Sequence, residues 1–275
     1  MSRVWLITGA NSGFGRAITE AAVRGGDIVA ATARRVSSLD DIAAAHPGPV
    51  EALALDVTDP AGVDQTVRGI IARHHRIDVL VNNAGRSHVG AAEETTDAEL
   101  RSMFEVHVFG PAALIRAVLP HMRARRSGAI VQLSSMGGQM SFAGFSAYSA
   151  TKFALEGMSE ALADEVRPLG IKVLIAEPGA FRTALFANIT ASRAIDDYAA
   201  TVGPTRHMTE TGDGSQPGDP AKAAAAILTA LDAEQTPLRL PLGDDAVDAI
   251  LGHLDAVRGE ITSWEALARG TRIAG

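Results

Sequence analysis

An α/β domain, with a mainly parallel sheet of seven strands between two helical layers, is the fold class that the sequence predicts. Three observations predict it. Short β-branched runs alternate with longer helical patterns along the chain. Those runs are continuously apolar rather than alternating, as strands buried on both faces require. Too few residues follow the one segment that breaks the rhythm to build a second core, so the chain reads as a single domain over 1–275.

In order, the expected strands are 4–7, 28–32, 51–55, 79–81, 129–133, 173–176 and 238–240. The helices between them are expected at 14–24, 63–74, 98–123, 149–167 and 220–232, with an amphipathic helix closing the chain. Thr58 or Asp59 supplies an N-cap for the second of these. Arg123, Arg125 and Arg126 follow the helical pattern and complement the negative end of the third. Residues 184–219, ending in TETGDGSQPGD, read as a long irregular insertion, of the kind that forms a lid or binding loop.

Composition narrows the chemistry. With 47% hydrophobic and 21% charged residues the chain is not disordered, and without cysteine it has no disulfide, thiolate site or cysteine nucleophile. A net charge of −7 argues against nucleic acid and anionic membranes as partners. No apolar run is expected to span a membrane and no signal peptide fits VWLITGA, so a cytoplasmic protein is expected.

VWLITGANSGFGRAI sets Gly9, Gly13 and Gly15 between the first strand and its helix. Such a turn admits close backbone approach and aims free N–H groups at an anion, a pyrophosphate being the natural occupant. A simple strand-helix corner is the alternative reading. The second strand ends in Arg34 and Arg35, where an NAD site carries an acid. A guanidinium there suits a 2′-phosphate, hence NADP(H), although two arginines after a strand can also be plain surface. Asp56, at the third strand, can accept from an adenine amino group.

Taken in order, T-G-A-N-S-G-F-G (8–15), D-V (56–57), N-N-A-G (82–85), the serines of VQLSSMGG, Y-S-A-T-K (148–152) and P-G-A-F-R-T (178–183) resemble the short-chain dehydrogenase/reductase superfamily over about 3–185. Within it the chain looks like an NADP-preferring ketone or hydroxysteroid reductase. The resemblance implies a Rossmann-type doubly wound domain. It implies that Gly9, Asn11, Ser12, Gly13, Phe14 and Gly15 hold the cofactor, with Asp56 and Val57 at adenine. Asn82, Asn83, Ala84 and Gly85 would line the ribose side, and Pro178, Gly179 and Thr183 the nicotinamide. Ser135, Tyr148 and Lys152 would be catalytic, with Tyr148 and Lys152 also touching cofactor; Ser135 is preferred to Ser134 for its spacing from the tyrosine.

Residues i and i+4 share a helix face, so Tyr148 and Lys152 can share a site. An ammonium beside a phenol is expected to favour phenolate, preparing it for proton exchange with a carbonyl or alcohol. Ser135 would donate to the same substrate oxygen. In FEVHVFG, His107 stands where the family has asparagine. It is either a packed replacement, a member of the proton relay or a disruption of it.

Met136, Met140, Phe142 and Phe145, with Leu185, Phe186, Ile189 and Tyr198 from the insertion, are expected to wall an apolar pocket for a neutral ketone or secondary alcohol. Ala154, Met158, Ala161 and Leu162 read as an outer stripe, and the family commonly pairs such helices into a homodimer or homotetramer. A non-catalytic NADP(H) sensor and an NADP-dependent epimerase or dehydratase are the competing readings.

Overall fold

The computed structural model describes residues 2–273. Its strands are β1 (Val4–Thr8), β2 (Ile28–Ala33), β3 (Val50–Ala54), β4 (Val79–Asn82), β5 (His88–Val89), β6 (Gly128–Leu133), β7 (Ile171–Pro178), β8 (Thr190–Ala191) and β9 (Arg239–Leu242). Its helices are α1 (Gly13–Arg24), α2 (Asp40–Ala45), α3 (Pro60–His74), α4 (Asp97–Phe104), α5 (Gly110–Arg125), α6 (Ser146–Val166), α7 (Ala199–Thr211), α8 (Pro220–Asp232) and α9 (Asp244–Arg269). Seven strands form one sheet in the order β3-β2-β1-β4-β6-β7-β9, every neighbouring pair parallel. The order reverses beside β1, which opens a crevice beyond the carboxyl ends of β1 and β4.

Alternation along β1 sorts side chains between two cores. Trp5 and Ile7 join Ile18 and Ala22 of α1 and Ile227 and Leu231 of α8 on one face. Val4 and Leu6 join Val67 and Ile70 of α3, Leu114 and Val118 of α5, and Leu162 and Val166 of α6 on the other. Leu162 is therefore a core residue, not part of an outer stripe. Local signals agree with the elements. Asp59 accepts from the Ala61 N–H ahead of α3, Asp219 does the same for Ala221 in α8, and Thr96 with Glu99 forms a capping box on α4.

Three expectations change. The single helix expected over 98–123 is α4 and α5 joined through a π-helical turn, Glu105–Phe109, closed by the Gly110 N–H donating to the Glu105 carbonyl. The whole run Asp97–Arg125 is long and apolar enough to cross a membrane, contrary to the expectation from sequence; in this fold Leu114, Ile115, Val118 and Met122 are buried in the second core. The 184–219 segment is more regular than expected, because it contains β8, paired with β5, and α7. Its Thr- and Gly-containing sequence hides α7, whose inward residues are Val202, Thr205 and Thr209. Beyond Ile250 the closing helix α9 is almost wholly solvent-facing.

Candidate active site

The β1–α1 turn lies at the crevice. Gly9 and Gly13 take φ of +63° and +53°, in the left-handed region that favours glycine. At Gly15 the constraint is space, since a Cβ would stand 2.3 Å from the Gly9 carbonyl oxygen. Asn83 holds this turn from β4. Its Nδ2 donates to the Thr8 and Gly9 carbonyls, while Thr8 Oγ1 accepts from the Asn83 and Ala84 N–H groups. The Asn83 side chain is thus committed to the protein, and Asn82 is buried against Gln132, away from the crevice.

A cavity of about 470 Å³ opens beside the turn, lined among others by Gly9, Asn11, Arg34, Asp56, Val57 and Gly85. Of the 82–85 segment, Ala84 and Gly85 line this cavity. Arg35 is exposed and lies outside this lining. Asp56 accepts from the Thr58 N–H and hydroxyl, which, with Arg34 nearby, hold its carboxyl below the usual range. Arg86, Ser102 and Glu105 also line the cavity and were missed from the sequence. Arg86 follows N-N-A-G directly and bonds Ser102, so only its position after that motif could have signalled it. Turn, α1 N-terminus and Arg34 fit a phosphorylated dinucleotide. Thr183 brings the P-G-A-F-R-T segment to the turn, its Cβ lying 3.2 Å from where one on Gly13 would stand. Phe14 packs on Phe181, with centroids 5.1 Å apart, instead of facing the cavity.

β6 and α6 bring Ser135, Tyr148 and Lys152 together. Ser135 Oγ accepts from the Gly137 N–H at 3.1 Å and lies with the Tyr148 ring against Gly137, whereas buried Ser134 faces Gly138. Lys152 is buried; its Nζ donates to the Leu133 carbonyl at 2.8 Å and lies 5.7 Å from the Tyr148 ring centroid. Burial lowers its pKa to about 8, with Glu156 opposing. Burial raises that of Tyr148, and the opposing pull comes from Ser135, not from the ammonium. The Lys152 ammonium, 5.7 Å from the ring centroid, is not among the causes of this shift, whose net direction is upward where the expectation was downward. The phenol keeps its proton at neutral pH.

His107 lies in the π turn with both ring nitrogens engaged. Nε2 accepts from the Arg86 N–H at 3.1 Å, and Nδ1 donates to Thr151 Oγ1 at 2.8 Å, which donates in turn to the Tyr148 carbonyl. Burial first, then Lys152 and Arg86, drive its pKa well below the histidine range. The ring is a neutral clamp between the 82–86 turn and α6. We expect His107→Asn to cost about 1–3 kcal/mol by removing buried bonds. It should leave the shape of the pH–rate profile unchanged, as thermal melts and kcat/KM against pH will check; a displaced limb would put the imidazole in the relay.

Of the expected pocket wall, Met136, Met140, Leu185 and Phe186 are half-buried, and Phe142 is exposed. Phe145 is buried in a small cluster with Val89, Ala91 and Val202, joined by Ile189 and Tyr198. It is a packing residue that stands behind Tyr148, with ring centroids 5.9 Å apart. Its assignment as pocket wall is corrected, because the β5–β8 ladder and α7 close over it.

The family model for short chain dehydrogenase matches residues 3–194. The chain belongs to the short-chain dehydrogenase family. This short-chain dehydrogenase is 38% identical over 244 residues to 3-ketodihydrosphingosine reductase of Bacteroides thetaiotaomicron, covering 88% of each chain. It is similar to the structure of a short-chain dehydrogenase from Streptomyces avermitilis, at 63% identity and a TM-score of 0.94 over 98% of both chains. A metagenomic short-chain oxidoreductase solved in complex with NADP matches at 28% identity and a TM-score of 0.70, over 88% of this chain and 97% of that one. The short-chain dehydrogenase described here is accordingly an oxidoreductase of Rossmann-type fold.

Proposed function

We propose that the protein reduces hydrophobic neutral ketones with NADPH, or oxidises the matching secondary alcohols, with Tyr148 as general acid/base. The observation that carries this reading is that Ser135, Tyr148 and Lys152 gather beyond the carboxyl end of β6, on the same edge of the sheet as the glycine turn after β1 and Arg34 after β2. Bound NADPH would supply the hydride. The chain's own part is to align and protonate: the neutral phenol gives its proton to the carbonyl oxygen, while the Ser135 hydroxyl donates to that oxygen. Gly9, Gly13 and Gly15, with the α1 N-terminus, would hold the pyrophosphate, and Arg34 the 2′-phosphate. Lys152 would steady the nicotinamide ribose.

Half-buried Met136, Met140, Leu185 and Phe186 support an apolar substrate, and 184–219 would cover it. Arg206 in that segment is paired with buried Glu94 at 2.6 Å, so it does not anchor an acidic substrate. Exposed Phe109 and Phe153, at the α5 and α6 side, support a homodimer or homotetramer. The test is NADPH and NADH oxidation over a panel of long-chain, cyclic and acidic ketones. Turnover of the neutral apolar ketones with a higher kcat/KM for NADPH is expected. Preference for NADH, or for the acidic ketones alone, would contradict the reading.

A further inference from the structure

Beneath the Ser135 turn lie two buried carboxyls that the proposed reaction does not use. Glu156 follows Lys152 by one turn of α6, and Glu177 immediately precedes Pro178 in β7; they are 4% and 0% exposed. The two carboxyls meet at one guanidinium nitrogen, Arg239 Nε, which lies 3.1 Å from Glu156 Oε2 and 3.5 Å from Glu177 Oε1. Each has one oxygen, Glu156 Oε1 and Glu177 Oε2, without a hydrogen-bond partner among the described residues. Two ionised carboxylates so placed would each be left short of a donor, and buried charge of one sign would accumulate. One proton held between them answers both needs.

Both carboxyls also hold the Ser135 turn. Gln139, at its end, donates Nε2–H to Glu177 Oε1 at 2.6 Å. Gly138 rests on Glu156, for a Cβ there would stand 2.9 Å from Glu156 Cγ and 3.1 Å from Oε1. On the far side Arg239 of β9 also pairs with exposed Glu160. Lys152 is the other cation on α6, and Asp245 of α9 faces the Gly179 end, where it accepts from the Ala180 N–H.

We infer that Glu156 and Glu177 form a carboxyl pair sharing one proton, which seats the Ser135 turn and gives buried Lys152 its counter-charge. They are positioning residues, and their catalytic part rests on the function proposed above. With one proton the pair carries a single negative charge between the two cations Lys152 and Arg239, of which Arg239 also pairs with Glu160. Loss of that proton puts two like charges under the turn and strains the Gln139 and Gly138 contacts. Burial, with Glu156 beside it, pushes the Glu177 pKa up to about 7. The pair therefore binds more protons in the folded chain than in the unfolded one between the ordinary glutamate range and about 7, and its contribution to stability falls as pH rises through that window.

Glu177→Gln decides the matter, because an amide mimics the protonated acid and cannot ionise. Thermal melts from about pH 5 to about pH 8 should show the stability of wild type relative to Glu177→Gln falling as pH rises, since His107 and His88, whose pKa values burial lowers, act alike in both proteins and cancel in the difference. This measurement needs no substrate, so it stands even if ketone reduction fails. Equal slopes would overturn the shared proton. With a turned-over ketone, kcat/KM of wild type should fall with a limb near neutrality that Glu177→Gln lacks. Glu156→Gln/Glu177→Gln should also bring the limb due to Lys152 to lower pH. A Glu177→Gln profile superposed on wild type, with only its melting point changed, would reduce the pair to a structural role and overturn the positioning.

Discussion

Tyr148→Phe is expected to lower kcat for ketone reduction by about 100- to 10,000-fold while leaving NADPH affinity within a small factor of wild type. The substitution removes one oxygen and keeps the ring. Its contacts with Phe145 at 5.9 Å and with His107 at 5.8 Å, edge to face, are made by carbon atoms and survive. What is lost is the proton that burial keeps on the phenol. Steady-state rates at saturating NADPH, with affinity measured by fluorescence titration, separate the two effects. Retained turnover would remove Tyr148 from the chemistry. Loss of NADPH binding in step with kcat would make it a cofactor contact first.

Gly15→Ala is expected to weaken NADPH binding by at least about tenfold and to destabilise the fold, since overpacking of this kind costs about 1–3 kcal/mol. The added Cβ would meet the Gly9 carbonyl at 2.3 Å and Asn83 Nδ2 at 2.5 Å. Both belong to the rigid link between the β1 turn and β4, so relief has to displace the cradle itself. Gly157, by contrast, has nothing within 4 Å of a Cβ, so Gly157→Ala serves as the control. Wild-type affinity in Gly15→Ala would show that the turn does not set the cofactor's position.

These effects trace back to features of unequal legibility in the sequence. The strand-helix rhythm, the glycine turn and the spacing of Tyr148 and Lys152 are local, and each was readable. Leu6 and Ile7 show why the sheet was too: a strand buried on both faces has to be apolar at every position. The π turn at Glu105–Phe109 was hidden because one widened turn barely disturbs a helical pattern. Phe145 read as pocket wall because its cover, the ladder of β5 with β8, consists of two-residue strands far apart in the chain. The engagement of Lys152 Nζ by the Leu133 carbonyl involves a backbone atom that no residue type announces. Glu156 and Glu177 each look like a surface acid until α6 is laid over β7.

The protonation state of Tyr148 is the point on which the account turns, and it is directly measurable. The chain has two tyrosines, Tyr148 and Tyr198, so the ultraviolet titration of wild type minus that of Tyr148→Phe isolates one phenol. The predicted difference curve shows no phenolate at neutral pH and a midpoint above the ordinary tyrosine value, because burial disfavours the anion. Phenolate absorbance already present near pH 7 in the protein alone would contradict a tyrosine that stands ready as the acid.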